Sequence, residues 1–222
     1  MIGKTIYIFG GTSGLGKSLH DRMIEDDPMH LNIIRPIGSN IVDLNRDGCG
    51  DIVQQLFEIY PPDIVLFFSN FTSNVFLHKQ SNMDIEKQIK INLIGCTTVI
   101  GKALQFMRIR KYGRIIIASS IIEEISKPGT SVYAACKGYY ETLVKNVALE
   151  NAALGVTANC LKFGYMDGGL TYTHLDVTQQ ATALSQIPAR RFGMIQEIYN
   201  ATNFLVDTEY VNGATIRMAG GL

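Results

Sequence analysis

The sequence of 222 residues predicts a single α/β domain with a doubly wound, mainly parallel sheet of about seven strands. Two observations support this fold class. Short apolar runs alternate with longer helix-like segments along the whole chain, and several of the runs are apolar enough to be buried on both faces of a sheet. The chain shows no internal repeat, charge block or low-complexity linker, so residues 1–222 are assigned to one domain.

The predicted elements follow from apolar runs bounded by glycine, proline or polar residues. The predicted strands are Lys4–Phe9, Leu31–Ile34, Asn40–Asp43, Asp63–Phe68, Arg114–Ala118, Val156–Leu161 and Thr215–Met218. The predicted helices are Leu15–Glu25, Ile52–Ile59, Asp84–Met107, Ser131–Ala153 and Glu197–Leu205. The segment between the second and third strands is too short for a full helix, so the alternation is abbreviated there.

Composition excludes several classes of protein. Lys+Arg and Asp+Glu number 20 each, so no bulk charge favours nucleic acid or an acidic membrane as a partner. The longest apolar stretches are four or five residues, whereas a membrane span needs about 20, and the first apolar run is too short for a secretory signal. The four cysteines form no C-x-x-C pair, so neither a metal site nor a disulfide framework is expected. We expect a cytoplasmic protein.

A glycine-rich loop follows the first predicted strand. Gly10, Gly14 and Gly16 form a Gly-X-X-X-Gly-X-Gly array where that strand turns into the first helix. Residues without Cβ let the backbone approach a pyrophosphate, whose charge the helix N-terminus favours. The loop therefore predicts dinucleotide binding, although a flexible turn with incidental glycines would have the same sequence.

Four further residues form a pattern at longer range. Tyr133 and Lys137 are four residues apart at the start of a long predicted helix, so they lie on one face, one turn apart. Ser120 precedes Tyr133 by 13 residues at the end of a predicted strand, and Asn92 lies in the preceding long helix. Each has an ordinary explanation on its own; for example, a mid-helix asparagine often bonds to the backbone.

Taken in this order, after the glycine-rich loop, the four residues resemble the pattern of the short-chain dehydrogenase/reductase family. The resemblance extends over nearly the whole chain and is closest to the subgroup that contains the β-ketoacyl carrier-protein reductases. Similar residues in the family's positions are Asn159, Gly164, Arg191-Phe192-Gly193, Tyr210-Val211-Asn212-Gly213 and Gly220-Gly221. The resemblance implies a Rossmann-type fold and a catalytic set of Asn92, Ser120, Tyr133 and Lys137. The expected cofactor contacts are Gly10, Thr12, Ser13, Gly14, Leu15, Gly16, Arg35, Asp43, Leu44, Ser69, Asn70, Tyr133, Lys137 and Met166, with Asp43 near the adenine.

The implied chemistry suits these residue types. Reducing a carbonyl needs a hydride from the cofactor on carbon and a proton from the protein on oxygen. We expect Tyr133 to be the general acid and Lys137 to lower its pKa, which is about 10 in an unperturbed phenol. Ser120 would donate a hydrogen bond to the carbonyl oxygen, and Asn92 would hold a water that relays protons to Lys137.

The sequence departs from the family pattern at two turns. Phe67-Phe68-Ser69-Asn70 stands where the family usually carries Asn-Asn-Ala-Gly, and Phe163-Gly164 replaces Pro-Gly. The phenylalanines of the first turn could pack in the core while its serine and asparagine form the turn. These departures leave open an alternative, a non-catalytic dinucleotide-binding sensor or regulator on a reductase fold. The presence of all four catalytic residues (Asn92, Ser120, Tyr133 and Lys137, below called the tetrad) argues against it.

Charge at the end of the second strand predicts the cofactor. An acidic residue there would bond the ribose hydroxyls of NAD, but Arg35 is present instead, followed by Ser39 and Asn40. We therefore expect NADP(H) rather than NAD(H), although Arg35 could also be a solvated loop residue.

The substrate is less well specified. Residues 166–188 lie where the family places its substrate lid, and Thr171, Tyr172, His174, Leu175 and Leu184 in it name no ligand. An acyl-carrier-linked 3-oxoacyl group is the first expectation, but a free ketone, a sugar or a polyketide fragment would fit the tetrad equally well. Because the two long helices are apolar on more than one face, we also expect a homo-oligomer, a tetramer or dimer.

Overall fold

The computed structural model describes residues 3–26, 32–35, 42–171 and 175–222. Its sheet has six parallel strands in the order β2-β1-β3-β4-β5-β6. They are β1 Thr5–Phe9, β2 Asn32–Ile34, β3 Ile64–Phe67, β4 Gly113–Ser120, β5 Val156–Phe163 and β6 Thr215–Met218. This confirms the doubly wound parallel sheet, with six strands where about seven were predicted.

The short strand predicted at Asn40–Asp43 is not seen in the described part of that segment. Residues 40 and 41 lie outside the described residues, and residues 42 and 43 have no regular secondary structure. The Asp43 carboxylate accepts a hydrogen bond from the Asn45 N–H at 3.0 Å, which closes a local turn. Such side-chain to backbone bonding competes with a strand ladder, so the chain turns here towards the next helix.

The helices begin and end close to the predicted positions. They are α1 Gly14–Asp26, α2 Cys49–Ile59, α3 Asn82–Ile89, α4 Cys96–Arg110, α5 Ile122–Ile125, α6 Ser131–Asn151, α7 Val177–Gln186 and α8 Ile195–Asp207. The long helix predicted at Asp84–Met107 is α3 and α4, joined by a π-helical turn at Lys90–Gly95. The sequence did not predict α5 or α7. In the described residues, no helix is long and apolar enough to cross a membrane.

Alternate residues of the central strands supply two core layers. Tyr7, Val65 and Ile115 belong to the layer that contains the buried residues of α2, α4 and α6. Their neighbours, such as Ile64 and Ile116, belong to the other layer, with buried residues of α1 and α8. Both faces of these strands are covered by helices, which explains their continuous apolar runs.

Side-chain amides close the far edge of the sheet. Asn159 on β5 accepts from the Ala214 N–H and donates to the Val211 carbonyl, both at 2.9 Å. Asn212 accepts from the Ala158 N–H at 2.9 Å.

Because all strands are parallel, their carboxyl ends lie on the same side of the sheet, which is where a doubly wound sheet binds its ligand.

Candidate active site

A cleft of about 1020 Å³ opens at the carboxyl ends of the central strands. Most of the predicted site residues line it: Gly10, Thr12, Ser13, Gly14, Leu15, Gly16, Asp43, Leu44, Ser69, Asn70, Ser120, Tyr133, Lys137 and Met166. Two predicted residues do not form its wall. Asn92 is buried behind it, and Arg35 lies against the outside of the glycine loop, with Nη1 donating to the Gly11 carbonyl at 3.3 Å.

The glycine loop has no room for side chains at two of its glycines. Gly10 has a φ of 83°, and a Cβ there would lie 2.5 Å from the backbone nitrogen of Ser69. A Cβ on Gly16 would lie 2.4 Å from the carbonyl oxygen of Gly10. The loop is therefore folded tightly onto the start of α1, and it offers the bare backbone that a pyrophosphate needs beside a helix N-terminus.

Tyr133 and Lys137 lie on the first two turns of α6, and both are buried. The Lys137 Nζ donates to the Ala118 carbonyl at 3.0 Å and lies 5.3 Å from the centre of the Tyr133 ring. Burial lowers the pKa of Lys137 to about 8, because it disfavours the charged amine. For the same reason, burial raises the pKa of the Tyr133 phenol. Lys137 does not offset that rise, so the lowered phenol pKa that we expected is not produced by the chain alone.

Ser120 is the last residue of β4, beside Tyr133 in the wall of the cleft. Its Oγ accepts a hydrogen bond from the Ile122 N–H at 3.2 Å, at the start of α5. A serine hydroxyl that accepts one bond still has its hydrogen to donate. The strand end and the short helix thus orient a donor that can face a ligand in the cleft.

Asn92 lies in the π-helical turn, and its side chain holds a neighbouring loop. Its Oδ1 accepts from the Phe71 N–H at 2.9 Å, and its Nδ2 donates to the Phe71 carbonyl at 2.7 Å. Its own carbonyl accepts from the Tyr140 hydroxyl at 2.8 Å. The residue therefore fixes the segment that follows Ser69 and Asn70 against the catalytic helix.

Comparison with known proteins agrees with this geometry. The sequence pattern of the family described as Enoyl-(Acyl carrier protein) reductase matches residues 59–222. The chain is also 31% identical to the 3-oxoacyl-[acyl-carrier-protein] reductase FabG of Buchnera aphidicola, over 99% of this chain and 97% of that protein. The chain belongs to the short-chain dehydrogenase/reductase family. It is accordingly an oxidoreductase of that family.

Other members of the short-chain dehydrogenase/reductase family share the full length. The 3-oxoacyl-[acyl-carrier-protein] reductase MabA of Mycobacterium tuberculosis is 28% identical over 100% of this chain and 93% of its own. A crystal structure of gluconate 5-dehydrogenase from Burkholderia cenocepacia, in complex with NADP and tartrate, superposes with a TM-score of 0.87 and 23% identity. It covers 100% of this chain and 96% of that one, which confirms the fold.

The two departures from the short-chain dehydrogenase/reductase pattern meet in the core. Phe68 and Phe163 are both buried, and their ring centres are 6.1 Å apart. Phe67 is also buried and lies 6.3 Å from the Tyr140 ring. The phenylalanines therefore pack in the core, as one reading of the sequence expected, and Phe68 and Phe163 also line the cleft together with Ser69 and Asn70.

An ion cluster behind the tetrad was not predicted from the sequence. Lys162, on β5, is buried, and its Nζ lies 2.6 Å from Glu123, 2.8 Å from Glu124 and in contact with Glu141. Although burial disfavours the Lys162 charge, hydrogen bonds to these carboxylates raise its pKa. Burial also raises the pKa of Glu123. No spacing along the chain signals this cluster, because its residues come from three elements, α5, α6 and β5.

The sequence of the glycine loop also fits the phosphate-binding motif of nucleoside triphosphatases. Residues 11–18 read GTSGLGKS, which fits the G-x-x-x-x-G-K-S frame of a phosphate-binding P-loop. The structure places these side chains elsewhere. Lys17 is half-exposed and pairs with Asp21, and the Ser18 hydroxyl donates to the Gly14 carbonyl at 3.2 Å. Neither residue lines the cleft, whereas Gly10, Gly14 and Gly16 do.

Residues 166–188, where a substrate lid was predicted, are described in part. Met166, Thr171 and Leu175 line the cleft, and α7 begins at a capping box formed by Asp176 and Gln179. Tyr172 and His174, and likewise Ser39 and Asn40 beside Arg35, lie outside the described residues.

Proposed function

We propose that the protein is an NADP(H)-dependent oxidoreductase that interconverts a carbonyl and a secondary alcohol, with acyl-carrier-linked 3-oxoacyl groups as its first substrate class. One observation carries this proposal: the buried Tyr133–Lys137 pair lines the same cleft as the tight glycine loop. The substrate class is supported by the relatives, among them a third reductase named for 3-oxoacyl-[acyl-carrier-protein], from Rickettsia felis, at 26% identity over the full chain.

Some residues of the cleft would bind the cofactor, and others would take part in the reaction. A bound nicotinamide dinucleotide would supply or accept the hydride. The glycine loop and the α1 N-terminus would hold its pyrophosphate, Asp43 and Leu44 would lie at the adenine, and Lys137 at the nicotinamide ribose.

The protein's own step is the proton transfer. Tyr133 donates its phenol proton to the carbonyl oxygen during reduction and takes it back during oxidation, while Ser120 donates a hydrogen bond to the same oxygen. Because burial raises the phenol pKa, the neutral acid is the resting form of Tyr133. Asn92 acts as a positioning residue through its bonds to Phe71.

The experiment compares the wild-type protein with Tyr133→Phe. We expect the wild type to oxidise NADPH in the presence of a 3-oxoacyl carrier-protein substrate. Tyr133→Phe should lose at least about a hundredfold in kcat, the range of general acid catalysis, with an unchanged Kd for NADPH. A wild type that binds the dinucleotide but turns over no carbonyl would instead support the sensor alternative. Full activity in Tyr133→Phe would disprove the catalytic assignment.

A homo-oligomer, tetramer or dimer, is part of the proposal. Large apolar side chains are exposed on both long helices, among them Ile109 on α4 (82%) and Leu149 on α6 (83%). Covering such side chains favours association with a second copy. Light scattering should show a species larger than 24.5 kDa, and a monomer at micromolar concentration would contradict this.

A further inference from the structure

A lysine outside the predicted catalytic set lines the same cleft as Ser120, Tyr133 and Lys137. Lys127 is half-buried in the loop that connects α5 to α6. Its carbonyl accepts from the Thr130 N–H at 3.2 Å and from the Thr130 hydroxyl at 2.7 Å, so its backbone is held in a closed turn just before Tyr133. The ammonium is thus presented from a fixed backbone.

The Lys127 ammonium is oriented by a tyrosine of the neighbouring loop. Its Nζ contacts the Tyr165 hydroxyl and lies 4.6 Å from the centre of that ring. Tyr165 directly follows Gly164 after β5, and it lines the cleft with Lys127. Because the ammonium donates to the phenol oxygen, the hydroxyl hydrogen of Tyr165 is directed elsewhere. Two donors from adjacent loops are therefore held together.

The acidic side chains near Lys127 and Tyr165 form ion pairs or hydrogen bonds with other residues. Among the described residues, no carboxylate lies within ion-pair distance of Lys127. Glu123 and Glu124, on the same connection, point to Lys162 instead. Asp43 is the one acidic residue in the described wall of the cleft, and it is already bonded by the Asn45 N–H.

The cleft that holds the two donors also has apolar residues in its wall. Ile121, Ile125, Met166 and Leu170 line the same cleft. A cation without a carboxylate partner, in a cleft whose wall is partly apolar, suits a ligand that combines a hydrocarbon body with an anionic group.

We propose that Lys127 and the Tyr165 hydroxyl form an anion subsite, so that the preferred substrate is a carbonyl compound carrying a carboxylate or a phosphate beyond its reacting carbon. This rests on the proposed carbonyl chemistry. Two sources offer such anionic oxygens: the carboxylate of a small oxo acid, which lies close to the reacting carbon, or the phosphate of a phosphopantetheine thioester, which lies at the far end of the pantetheine arm. One subsite suits only one of these two distances.

Two matched substrate pairs separate these sources. Acetoacetate is compared with neutral ethyl acetoacetate, and acetoacetyl-phosphopantetheine with acetoacetyl-pantetheine, which lacks the phosphate. In one of the two pairs, Lys127→Met should lower the ratio of kcat/KM for the charged over the neutral substrate by at least about tenfold, as loss of a charge-assisted contact does. Lys127→Arg should retain most of the ratio, and Tyr165→Phe should lower it less.

Lys79→Met is the matched control, because Lys79 is exposed and does not line the cleft. It should leave both ratios within about twofold of the wild type, since one distant surface charge contributes little. If Lys127→Met also leaves the charged-over-neutral ratio of kcat/KM unchanged in both substrate pairs, the anion subsite is disproved.

Binding in the Tyr133→Phe background separates this proposal from the catalytic one. Calorimetric titration with acetoacetate and with acetoacetyl-phosphopantetheine, in the presence of NADP, needs no turnover. The affinity for one of these anions should fall at least about tenfold when Lys127→Met is added to Tyr133→Phe. If Tyr133→Phe retains full turnover, the catalytic assignment fails, but the binding result still tests the anion subsite. If Lys127→Met leaves the affinity for both anions unchanged, only the anion subsite is disproved.

Discussion

Asn92 holds the backbone of Phe71 from both sides, accepting from its N–H at 2.9 Å and donating to its carbonyl at 2.7 Å. Both groups belong to the segment that follows the cleft residues Ser69 and Asn70, and Asn92 itself is fully buried. A single side chain thus ties this loop to the helix pair that carries the π-helical turn.

Asn92→Ala should therefore destabilise the protein. It leaves the part-buried N–H and carbonyl of Phe71 without their side-chain partner, at about 1–3 kcal/mol in the free energy of unfolding. Urea denaturation measures the change. Asn146→Ala is the control, because the Asn146 side chain bonds the Thr142 carbonyl at an exposed position and its loss should cost under about 0.5 kcal/mol. Equal losses in the two variants would contradict the prediction.

Lys137→Met should stabilise the fold while it removes activity. Burial lowers the Lys137 pKa from 10.5 to about 8, so below pH 8 the folded state carries a charge that burial disfavours. That cost is about 3 kcal/mol at neutral pH, and it disappears as the pH rises towards 10.5, where the unfolded chain also loses its proton. Denaturation at pH 7 and at pH 10 should show a stability gain for Lys137→Met that shrinks at the higher pH. A less stable variant at pH 7 would show that the bond to Ala118 outweighs the desolvation.

Gly16→Ala should abolish dinucleotide binding. Its Cβ would lie 2.4 Å from the Gly10 carbonyl oxygen, and backbone cannot move aside as a flexible side chain can. We expect the Kd for NADPH to rise at least about tenfold, measured by nicotinamide fluorescence. Gly101→Ala, on α4, meets nothing within 4 Å, so it should keep the Kd and add about 1 kcal/mol of helix stability.

Lys162→Met should be destabilising in a pH-dependent way. It leaves the partly buried Glu123 and Glu141 without their cation, which costs about 3 kcal/mol when both carboxylates are charged. Burial raises the pKa of Glu123, and loss of the cation favours its protonation further, so the cost should be smaller at pH 5 than at pH 8. Adding Glu123→Gln and Glu141→Gln should restore most of the stability at pH 8. Lys17→Met, which removes an exposed ion pair, should change stability by under about 1 kcal/mol at both pH values.

Arg35→Ala should weaken NADPH more than NADH. The Arg35 guanidinium bonds the Gly11 carbonyl and so lies beside the glycine loop, where a 2′-phosphate would be bound by a cation. Losing a charge-assisted bond should raise the Kd for NADPH about tenfold and leave that for NADH nearly unchanged. Arg46 also lines the cleft. If Arg46→Ala alone produces the selective loss, the cofactor choice belongs to Arg46.

Local patterns in the sequence predicted the strands and the placement of most site residues. The apolar run at Asp63–Phe68 became a strand buried on both faces, because helices cover both sides of the sheet. Tyr133 and Lys137 could be placed together because four residues make about one helical turn.

Features that depend on tertiary contacts were not predictable in this way. Glu123, Glu141 and Lys162 come from three separate elements, and no spacing along the chain brings them together. The π-helical turn at Lys90–Gly95 leaves the apolar pattern almost unchanged, so its sequence reads as ordinary helix. The Lys127–Tyr165 contact likewise depends on two loops at the ends of neighbouring strands.

The contact between Phe68 and Phe163 has a consequence for exchanging parts among relatives. Each ring fills space beside the other across two turns that are distant in the chain. A chimera that imports a small residue at one turn would leave a void beside the remaining phenylalanine, at a cost of about 3–5 kcal/mol. The two turns must therefore be transplanted as a matched set.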